Sequence, residues 1–265
     1  MTMTSEEIAN YYDKVIKERR LSKRIKGPNK RMKKAISRIE KYIDEGDKVL
    51  DIGCGIGVND EVLLKRYESI MIYGLDISNE NIDYAKHTIK DPRADFYVGD
   101  VLEKHSSEIL ELMNGYANVI ILIDVLEHIP SSKHDKLFKL LSNILSNGGY
   151  IVLTYPSPSY QDYLMEHKPD ELQIVDEKIF LKDIVRLSSR HGFFVDHYSR
   201  EDIWKTNQYV HTVLTNDICL DDTTIRRKNI LSRFISHARS FVQHRLIYPY
   251  KRWKYIKSYL SNEAD

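Results

Sequence analysis

An acid and three alternating glycines end an apolar run at residues 49–57, which read Val-Leu-Asp-Ile-Gly-Cys-Gly-Ile-Gly. Gly53, Gly55 and Gly57 lack a Cβ atom, so the backbone there can take positive φ and approach a ligand closely. A helix that begins directly after such a turn offers unpaired N–H groups at its N-terminus. The pattern therefore predicts that a turn between a strand and a helix binds a nucleotide-type ligand.

Three more apolar runs downstream also end in a carboxylate, at Asp76, Asp100 and Asp124. Counted from Asp51, these acids lie about 24 residues apart, which is long enough for one crossover helix and one strand. In a parallel sheet, all four carboxylates would lie at the carboxyl edge, where open α/β sheets bind their ligands. The acids and the glycines thus predict one site.

The composition narrows the class of protein. A chain of 265 residues can form one α/β domain with extensions at both ends. Its 40 lysines and arginines nearly balance its 39 aspartates and glutamates, so a nucleic-acid partner is not expected. Cys54 and Cys219 are too few for a disulfide scaffold and lack the spacing of a zinc site. Because no signal core and no apolar run of about 20 residues is found, we expect a soluble, cytoplasmic protein.

Apolar spacing predicts an alternation of helices and strands. Residues 1–45 are expected to form a helical cap, which Gly27-Pro28-Asn29 interrupts. Further helices are predicted near residues 58–67, 79–90, 103–114, 132–146 and 179–191, with Asn147-Gly148-Gly149 ending the fourth of these. A fifth strand is predicted at 150–155, a sixth from Phe193 and a seventh at 209–215.

The last two predicted strands are separated only by residues 199–208, which is too short for a helical crossover. We therefore expect an α/β fold with a seven-stranded sheet, in which five parallel strands are followed by an antiparallel closing hairpin and helices cover both faces. The corresponding division is a cap at 1–45, a central domain at 46–217 and a helical extension at 218–265. Within the central domain, the polar segment 156–178 crosses the ligand edge.

The glycine spacing separates two families of cofactor-binding fold. A dinucleotide-binding turn needs G-x-G-x-x-G/A, and Val58 occupies its last small position here, which disfavours a nicotinamide-dependent oxidoreductase. The chain instead reads D-x-G-x-G-x-G. With the downstream acids, residues 35–217 resemble a class I S-adenosylmethionine-dependent methyltransferase with a Rossmann-like fold. The segment from Tyr160 to Glu177 is loosely similar to loops of glycan and secondary-metabolite methyltransferases.

The resemblance implies S-adenosylmethionine as the cofactor and S-adenosylhomocysteine as the product. It implies that the methionine moiety and ribose are surrounded by the turn residues Asp51, Gly53, Cys54, Gly55 and Gly57. Asp76 would accept hydrogen bonds from both ribose hydroxyls, since a carboxylate has two acceptor oxygens. Ile77 would pack against the adenine, and Asp100 with Val101 would read its amino edge. Asp124 would lie beneath the methionine end.

Methyl transfer requires the acceptor atom to be held ~3–3.5 Å from the methyl carbon, with water excluded and no metal needed. A hydroxyl acceptor also benefits from a base, for which histidine has a suitable pKa. In this architecture, His128 follows the fourth strand and is our first candidate, and His167 is the second. Tyr12, like Tyr11, could cover the sulfonium through a cation–π contact.

The acceptor is expected to be a hydroxylated small molecule, sugar or glycan, because the segment 156–178 mixes polar and aromatic residues. Methylation of a neutral amine is the alternative that the same pocket would allow. A protein that binds the cofactor without turnover is another. A nucleobase amino-methyltransferase would show Asn/Asp-Pro-Pro-aromatic after the fourth strand, where this chain has Asp124-Val125-Leu126-Glu127.

The C-terminal segment interleaves basic and aromatic residues, and it contains no acid between Arg226 and Leu260. One interpretation is a helical extension that packs on the domain or on a second subunit of a homodimer. The other is peripheral contact with an anionic membrane or with a lipid-linked or polyanionic acceptor, since basic residues attract such surfaces and aromatic residues favour the interface.

Overall fold

A computed structural model describes residues 4, 6–13, 28–103, 116–173 and 175–216 of the protein. The predicted helix near 103–114 and the C-terminal extension 218–265 lie outside these residues, apart from residue 103 itself. The predicted cap is described in part, at residues 6–13 and from residue 28 onward.

A seven-stranded sheet forms the centre of the fold. Its strands are β1 Lys48–Ile52, β2 Met71–Asp76, β3 Ala94–Val98, β4 Ala117–Ile123, β5 Leu145–Pro156, β6 Phe193–Glu201 and β7 Tyr209–Asn216. They follow the order β3-β2-β1-β4-β5-β7-β6. The pairs among β1 to β5 are parallel, whereas β7 pairs antiparallel with both β5 and β6. The expected fold class is confirmed, including the closing hairpin.

Helices lie on both faces of this sheet. They are α1 at 6–13, α2 Lys30–Ile39, α3 Val58–Arg66, α4 Asn79–Thr88, α5 His134–Ile144, α6 Pro158–His167 and α7 Leu181–Arg190. Short 3-10 turns occupy Leu126–His128, Ser131–Lys133 and Pro169–Glu171. Among the described helices, none combines the length and the hydropathy that a membrane span requires.

Two apolar clusters hold the helices on the sheet. On one face, α2, α3 and α4 bury residues such as Ile36, Leu63 and Ile82 against β1, β2 and β4. On the other face, α5 and α7 bury residues such as Phe138 and Leu187. Strand β4 is covered on both sides, which explains why it reads as an uninterrupted apolar run rather than an alternating one.

The boundary between α5 and β5 differs from the prediction. The helix ends at Ile144, and β5 begins at Leu145, before the glycines that were expected to end the helix. Leu145 pairs with Ala117, and the register with β4 then shifts before Tyr150. A Cβ atom at Gly149 would lie 2.8 Å from Leu145 Cδ1 and 2.9 Å from the carbonyl oxygen of Asn118. The glycine is thus needed for close strand contact inside β5, which apolar spacing alone did not indicate.

The segment after β5 also contains a helix that was not predicted. Helix α6 begins with Pro158. Proline has no backbone N–H, and it costs no helical hydrogen bond here because N–H groups in the first turn have no partner within the helix. Ser157 caps the helix, since its side chain accepts a hydrogen bond from the Tyr160 backbone N–H at 3.3 Å. Residues 158–167 of the polar segment 156–178 therefore form a helix, and a 3-10 turn follows at Pro169–Glu171.

Candidate active site

The glycine turn lies at the carboxyl end of β1, between β2 and β4. The φ values of Gly53, Gly55 and Gly57 are 74°, 57° and 72°, a conformation that side chains with a Cβ atom rarely adopt. A Cβ atom would lie 2.3 Å from Val125 at Gly53 and 2.5 Å from Ile89 at Gly57, but it would meet nothing within 4 Å at Gly55. Gly55 therefore borders the open space into which a ligand can approach the backbone.

Asp76, at the end of β2, stabilises the glycine turn. Its carboxylate accepts hydrogen bonds from the Gly55 N–H at 2.8 Å, from the Ser78 N–H at 2.9 Å and from the Asn81 side-chain amide at 3.2 Å. Burial raises the pKa of Asp76, and these donors act in the opposite direction. A carboxylate has about four lone-pair directions, so Asp76 can still accept from a ligand hydroxyl beside Gly55.

The other predicted cofactor residues follow along the same edge. Ile77 is half-buried directly after Asp76. Asp100, after β3, accepts a hydrogen bond from the Leu102 N–H at 2.9 Å, and Val101 is buried in the core. Cys54 is a free, buried cysteine within the glycine turn, and burial raises the pKa of its thiol. The sheet order therefore places these residues at one edge, as the acid spacing predicts.

Asp51 forms a buried carboxyl pair with Asp60 from the first turn of α3. The two side chains are 1% and 0% exposed, and the charge of Asp60 acts on the Asp51 carboxyl group. Three of their four oxygens have no hydrogen-bond donor among the described residues. Burial raises the pKa of Asp60 to about 7 and also raises that of Asp51, where the charge of Asp60 adds to the effect.

Asp124, after β4, is held by a residue from outside the sheet. Its Oδ2 atom lies 2.6 Å from Arg31 Nη1 of α2, and the same nitrogen donates to the Tyr209 hydroxyl at 2.9 Å. Asp124 has a positive φ of 56°, and its N–H donates to the Thr154 carbonyl at 2.9 Å. The ion pair and the backbone bond together hold a left-handed conformation, which the short polar side chain of aspartate tolerates.

His128 lies on the short helical turn after β4, next to a buried acid. Its Nδ1 atom is 2.7 Å from the Val175 carbonyl oxygen, and its Nε2 atom is 3.9 Å from Glu127 Oε1. A carbonyl oxygen can only accept, so Nδ1 carries the hydrogen and Nε2 of the neutral ring has the lone pair. Burial and the charge of Asp124 raise the pKa of Glu127 well above its ordinary value.

Helix α1 closes over this part of the site. The ring of Tyr12 lies 6.3 Å from the ring of His128, centroid to centroid, and burial raises the pKa of the Tyr12 hydroxyl. Asp13 accepts a hydrogen bond from the Ser78 hydroxyl and a second one from the Glu80 N–H at 3.3 Å. Helix α1 therefore contacts both the residues that follow β2 and the residues that follow β4.

His167 lies at the exposed end of α6. Its ring stacks on Tyr163 at a centroid distance of 4.8 Å, and its Nδ1 atom is 3.3 Å from the Tyr163 carbonyl oxygen. The side chain is 52% exposed, compared with 12% for His128. The structure thus places the two histidine candidates in different surroundings, and a catalytic role for either stays a prediction.

Four residues of the site were missed from the sequence, namely Asp13, Arg31, Asp60 and Asp176. Asp60 left a signal, since an acid three and four residues before Leu63 and Leu64 is on the buried side of its helix. Asp176 lies in the segment 156–178, which was predicted to cross the ligand edge. Asp13 and Arg31 reach the site through contacts between distant parts of the chain. Within the described ranges, no group of three or more histidine, cysteine, aspartate or glutamate residues is arranged to hold a metal ion.

The edge has the chemistry that S-adenosylmethionine requires. This cofactor carries a positive sulfonium and an ammonium group, and the edge presents several carboxyl groups. Glu127 Oε2 is buried without a hydrogen-bond partner among the described residues, and Gly55 borders free space. A glycine turn after β1, an acid at the end of β2 and this strand order define the class I methyltransferase architecture.

Residues 22–208 match the model of the methyltransferase domain family, so the chain belongs to that family and is an S-adenosylmethionine-dependent methyltransferase. A curated relative is the ubiquinone biosynthesis O-methyltransferase of Vibrio vulnificus, 22% identical over 208 residues, or 74% of this chain and 78% of the relative.

Solved structures agree with this fold. Magnesium protoporphyrin IX methyltransferase from Synechocystis PCC 6803 with bound SAH gives a TM-score of 0.62 at 16% identity, covering 81% of this chain and 100% of that one. An S-adenosylmethionine-dependent methyltransferase from Methanosarcina mazei gives 0.57 at 16% identity, covering 68% and 97%. At these identities the likeness concerns the fold.

The substitution Asp76→Ala should weaken cofactor binding more than it weakens folding. It would remove acceptors for the ribose hydroxyls, each charged hydrogen bond contributing ~1.5–3 kcal/mol, and would release the Gly55 N–H. Titration calorimetry with S-adenosylhomocysteine measures the loss. Asp95→Ala, at an exposed position of β3, is the matched control. Unchanged affinity in a folded Asp76→Ala protein would remove Asp76 from the site.

The Asp51–Asp60 pair should make stability depend on pH. An unfolded aspartate ionises near pH 4, whereas folded Asp60 stays protonated up to about pH 7. The folded state therefore binds more protons in this window, and its stability falls as the pH rises. The substitution Asp60→Asn should make the folding stability fall less steeply with pH. The free energy of unfolding, measured by urea unfolding at pH 5, 6, 7 and 8, tests this.

Glu61→Gln is the control for that series, because it neutralises a more exposed acid on the same helix. The interpretation fails if Asp60→Asn and Glu61→Gln leave the same dependence of the unfolding free energy on pH.

Proposed function

We propose that the protein methylates a hydroxyl group of a sugar, glycan or other small molecule, with His128 as the general base. The observation that carries this proposal is the 2.7 Å contact between His128 Nδ1 and the Val175 carbonyl oxygen. It leaves the Nε2 lone pair available beside Glu127 and Tyr12, at the end of the strand where the acceptor would approach the cofactor.

S-adenosylmethionine supplies an electrophilic methyl group on a positively charged sulfur. The chain has to bind this group, orient the acceptor, exclude water and accept a proton. We assign binding to the glycine turn and Asp76, and closure to Tyr12 on α1. His128 Nε2 would take the proton of the acceptor hydroxyl as that oxygen is methylated.

The surroundings of His128 support a polar acceptor that carries little net charge. Arg31 is already paired with Asp124 and bonded to Tyr209, so its charge is compensated within the site. Tyr209 and Tyr160 lie 6.3 Å apart, centroid to centroid, and extend an aromatic surface toward α6. The relative named a ubiquinone biosynthesis O-methyltransferase also supports a hydroxyl acceptor.

An amine acceptor is the second candidate, and the carboxyl groups favour it. Glu127 and Asp176 lie 3.9 and 3.6 Å from the two ring nitrogens of His128, and carboxyl groups at these positions would attract an ammonium group. The amine would still have to be neutral to attack. A product-mass screen with labelled cofactor against sugars, glycans, phenols and amines separates the two, and a demethylated cofactor that co-purifies would argue against a non-catalytic binding protein.

The substitution His128→Ala should lower turnover ~10²–10⁴-fold while the affinity for S-adenosylhomocysteine stays nearly intact, because a base acts on the acceptor and not on the cofactor. Turnover is measured as transfer of the labelled methyl group to the acceptor found in the screen. His167→Ala is the matched histidine variant on α6.

Loss of cofactor affinity in His128→Ala would show that His128 has a structural role in the cofactor site. A loss of turnover at His167 as large as that at His128 would move the base to α6. If both variants keep wild-type turnover, the acceptor needs no histidine base, as a neutral amine would not.

For residues 218–265, which lie outside the described part of the chain, we propose contact with an anionic membrane surface or a lipid-linked acceptor. Full-length protein should co-sediment with anionic vesicles at low salt, because each basic residue near such a surface contributes ~1 kcal/mol. A variant truncated after Asp222 should not. Equal sedimentation of the two would instead favour packing on the domain or a homodimer interface.

A further inference from the structure

The Nδ1 side of His128 faces a structured segment at residues 175–177. The Val175 carbonyl accepts from Nδ1 at 2.7 Å, and Asp176 Oδ1 lies 3.6 Å from the same nitrogen. The side chains of His128 and Asp176 are 12% and 11% exposed, so little water screens their interaction. A carboxylate therefore lies directly behind the ring nitrogen that is opposite the proposed base atom.

The Asp176 carboxylate is itself fixed by two donors. Gln161 Nε2, on α6, donates to Oδ1 at 3.3 Å, and the Gln173 backbone N–H donates to Oδ2 at 2.5 Å. Gln161 is 0% exposed although it lies on the helix that crosses the ligand edge. Such a buried amide restricts the carboxylate to one orientation, because moving it would leave the amide without this partner.

The backbone of the segment is also attached to the loop that carries His128. The Glu177 N–H donates to the Glu127 carbonyl at 2.8 Å, and the Ser131 N–H donates to Glu177 Oε1 at 3.2 Å. These two bonds fix residues 175–177 relative to the turn after β4. The Val175 carbonyl and the Asp176 carboxylate are consequently held in place by both α6 and the loop.

Positive charge develops on the ring of His128 when Nε2 accepts a proton. A carboxylate at 3.6 Å favours that charge by direct electrostatic attraction, as the acid of a catalytic triad does for its histidine. Among the described residues, Tyr12 from α1 and Glu127 from the same turn also face the ring. Burial raises the pKa of both of them, which favours their neutral forms, whereas Asp176 Oδ1 lies 3.6 Å from the ring nitrogen Nδ1.

We propose that Asp176 is a positioning residue for His128 and that Gln161 holds Asp176 in place, so that helix α6 couples the acceptor side of the site to the base. This proposal rests on the proposed function, in which His128 takes the proton. The Val175 carbonyl sets which ring nitrogen carries the hydrogen. Asp176 sets how readily the ring becomes an imidazolium ion.

The experiment is a titration of the full-length protein, labelled with ¹⁵N-histidine, by long-range ¹H–¹⁵N correlation NMR. The His128 signals are assigned by their loss in His128→Ala. We expect the wild-type neutral ring to carry its hydrogen on Nδ1. In Asp176→Asn the acid titration of the ring should move down by about one pH unit, while the hydrogen stays on Nδ1.

Two variants test the coupling to α6. Gln161→Leu keeps the volume but removes the amide donor, and it should move the titration in the same direction by a smaller amount. Asp162→Asn is the matched control, because it neutralises an exposed acid on the same helix that pairs with Lys178. It should leave the titration unchanged. Asp176→Glu, which keeps a carboxylate, should restore most of the wild-type behaviour.

The proposal is wrong if Asp176→Asn titrates like the wild type or shifts no more than Asp162→Asn. If Asp176→Asn does not fold, the difference between Gln161→Leu and Asp162→Asn decides in the same way. The titration needs no acceptor, so it is independent of methyl transfer. Wild-type turnover in His128→Ala would end the assignment of the base, whereas the NMR shift would still report the contact with Asp176.

Discussion

Attachment of the glycine turn to the end of β2 is the constraint on which the rest of the site depends. The N–H groups of Gly53 and Cys54 both donate to the Leu75 carbonyl, at 2.7 and 3.2 Å, and the Gly55 N–H donates to the Asp76 carboxylate. Because β1 and β2 pair in parallel, the turn and the acid must lie side by side. One acid therefore serves both as a brace of the turn and as the expected ligand acceptor.

Burial of several acids at one edge is the electrostatic consequence of this arrangement. Asp124 is compensated by Arg31, whereas burial raises the pKa values of Glu127, Asp51 and Asp60. Burying a charge without a partner costs several kcal/mol, so such groups pair or become neutral. The edge can thus be rich in acids without being strongly negative, and a cationic cofactor would meet partners that are already oriented.

Several residues of the candidate site come from segments outside the central sheet. Helix α1 brings Tyr12 to His128, α2 brings Arg31 to Asp124, and the segment that includes α6 brings Asp176 behind the histidine. Folds of this kind host many reactions, and function resides in the residues added at the edge. The acceptor should therefore be sought through these three elements rather than through the sheet.

Local sequence patterns were sufficient to predict the sheet, its parallel and antiparallel parts and the position of Asp51, Asp76, Asp100 and Asp124 at one edge. The apolar periodicity, the positions of the glycines and the loop lengths are local properties of the sequence. They are sufficient to predict the sheet topology when strand connections follow the usual rules. The end of α5 and the existence of α6 depended on Gly149 packing and on the Ser157 cap, which apolar spacing does not report. The contacts of Arg31, Asp176 and Gln161 became known only from the tertiary structure, whereas the helical position of Asp60 indicated its burial but not its neighbour Asp51. Each acts through side-chain geometry and burial, and most act between residues far apart in the chain, where composition and spacing carry no information about distance.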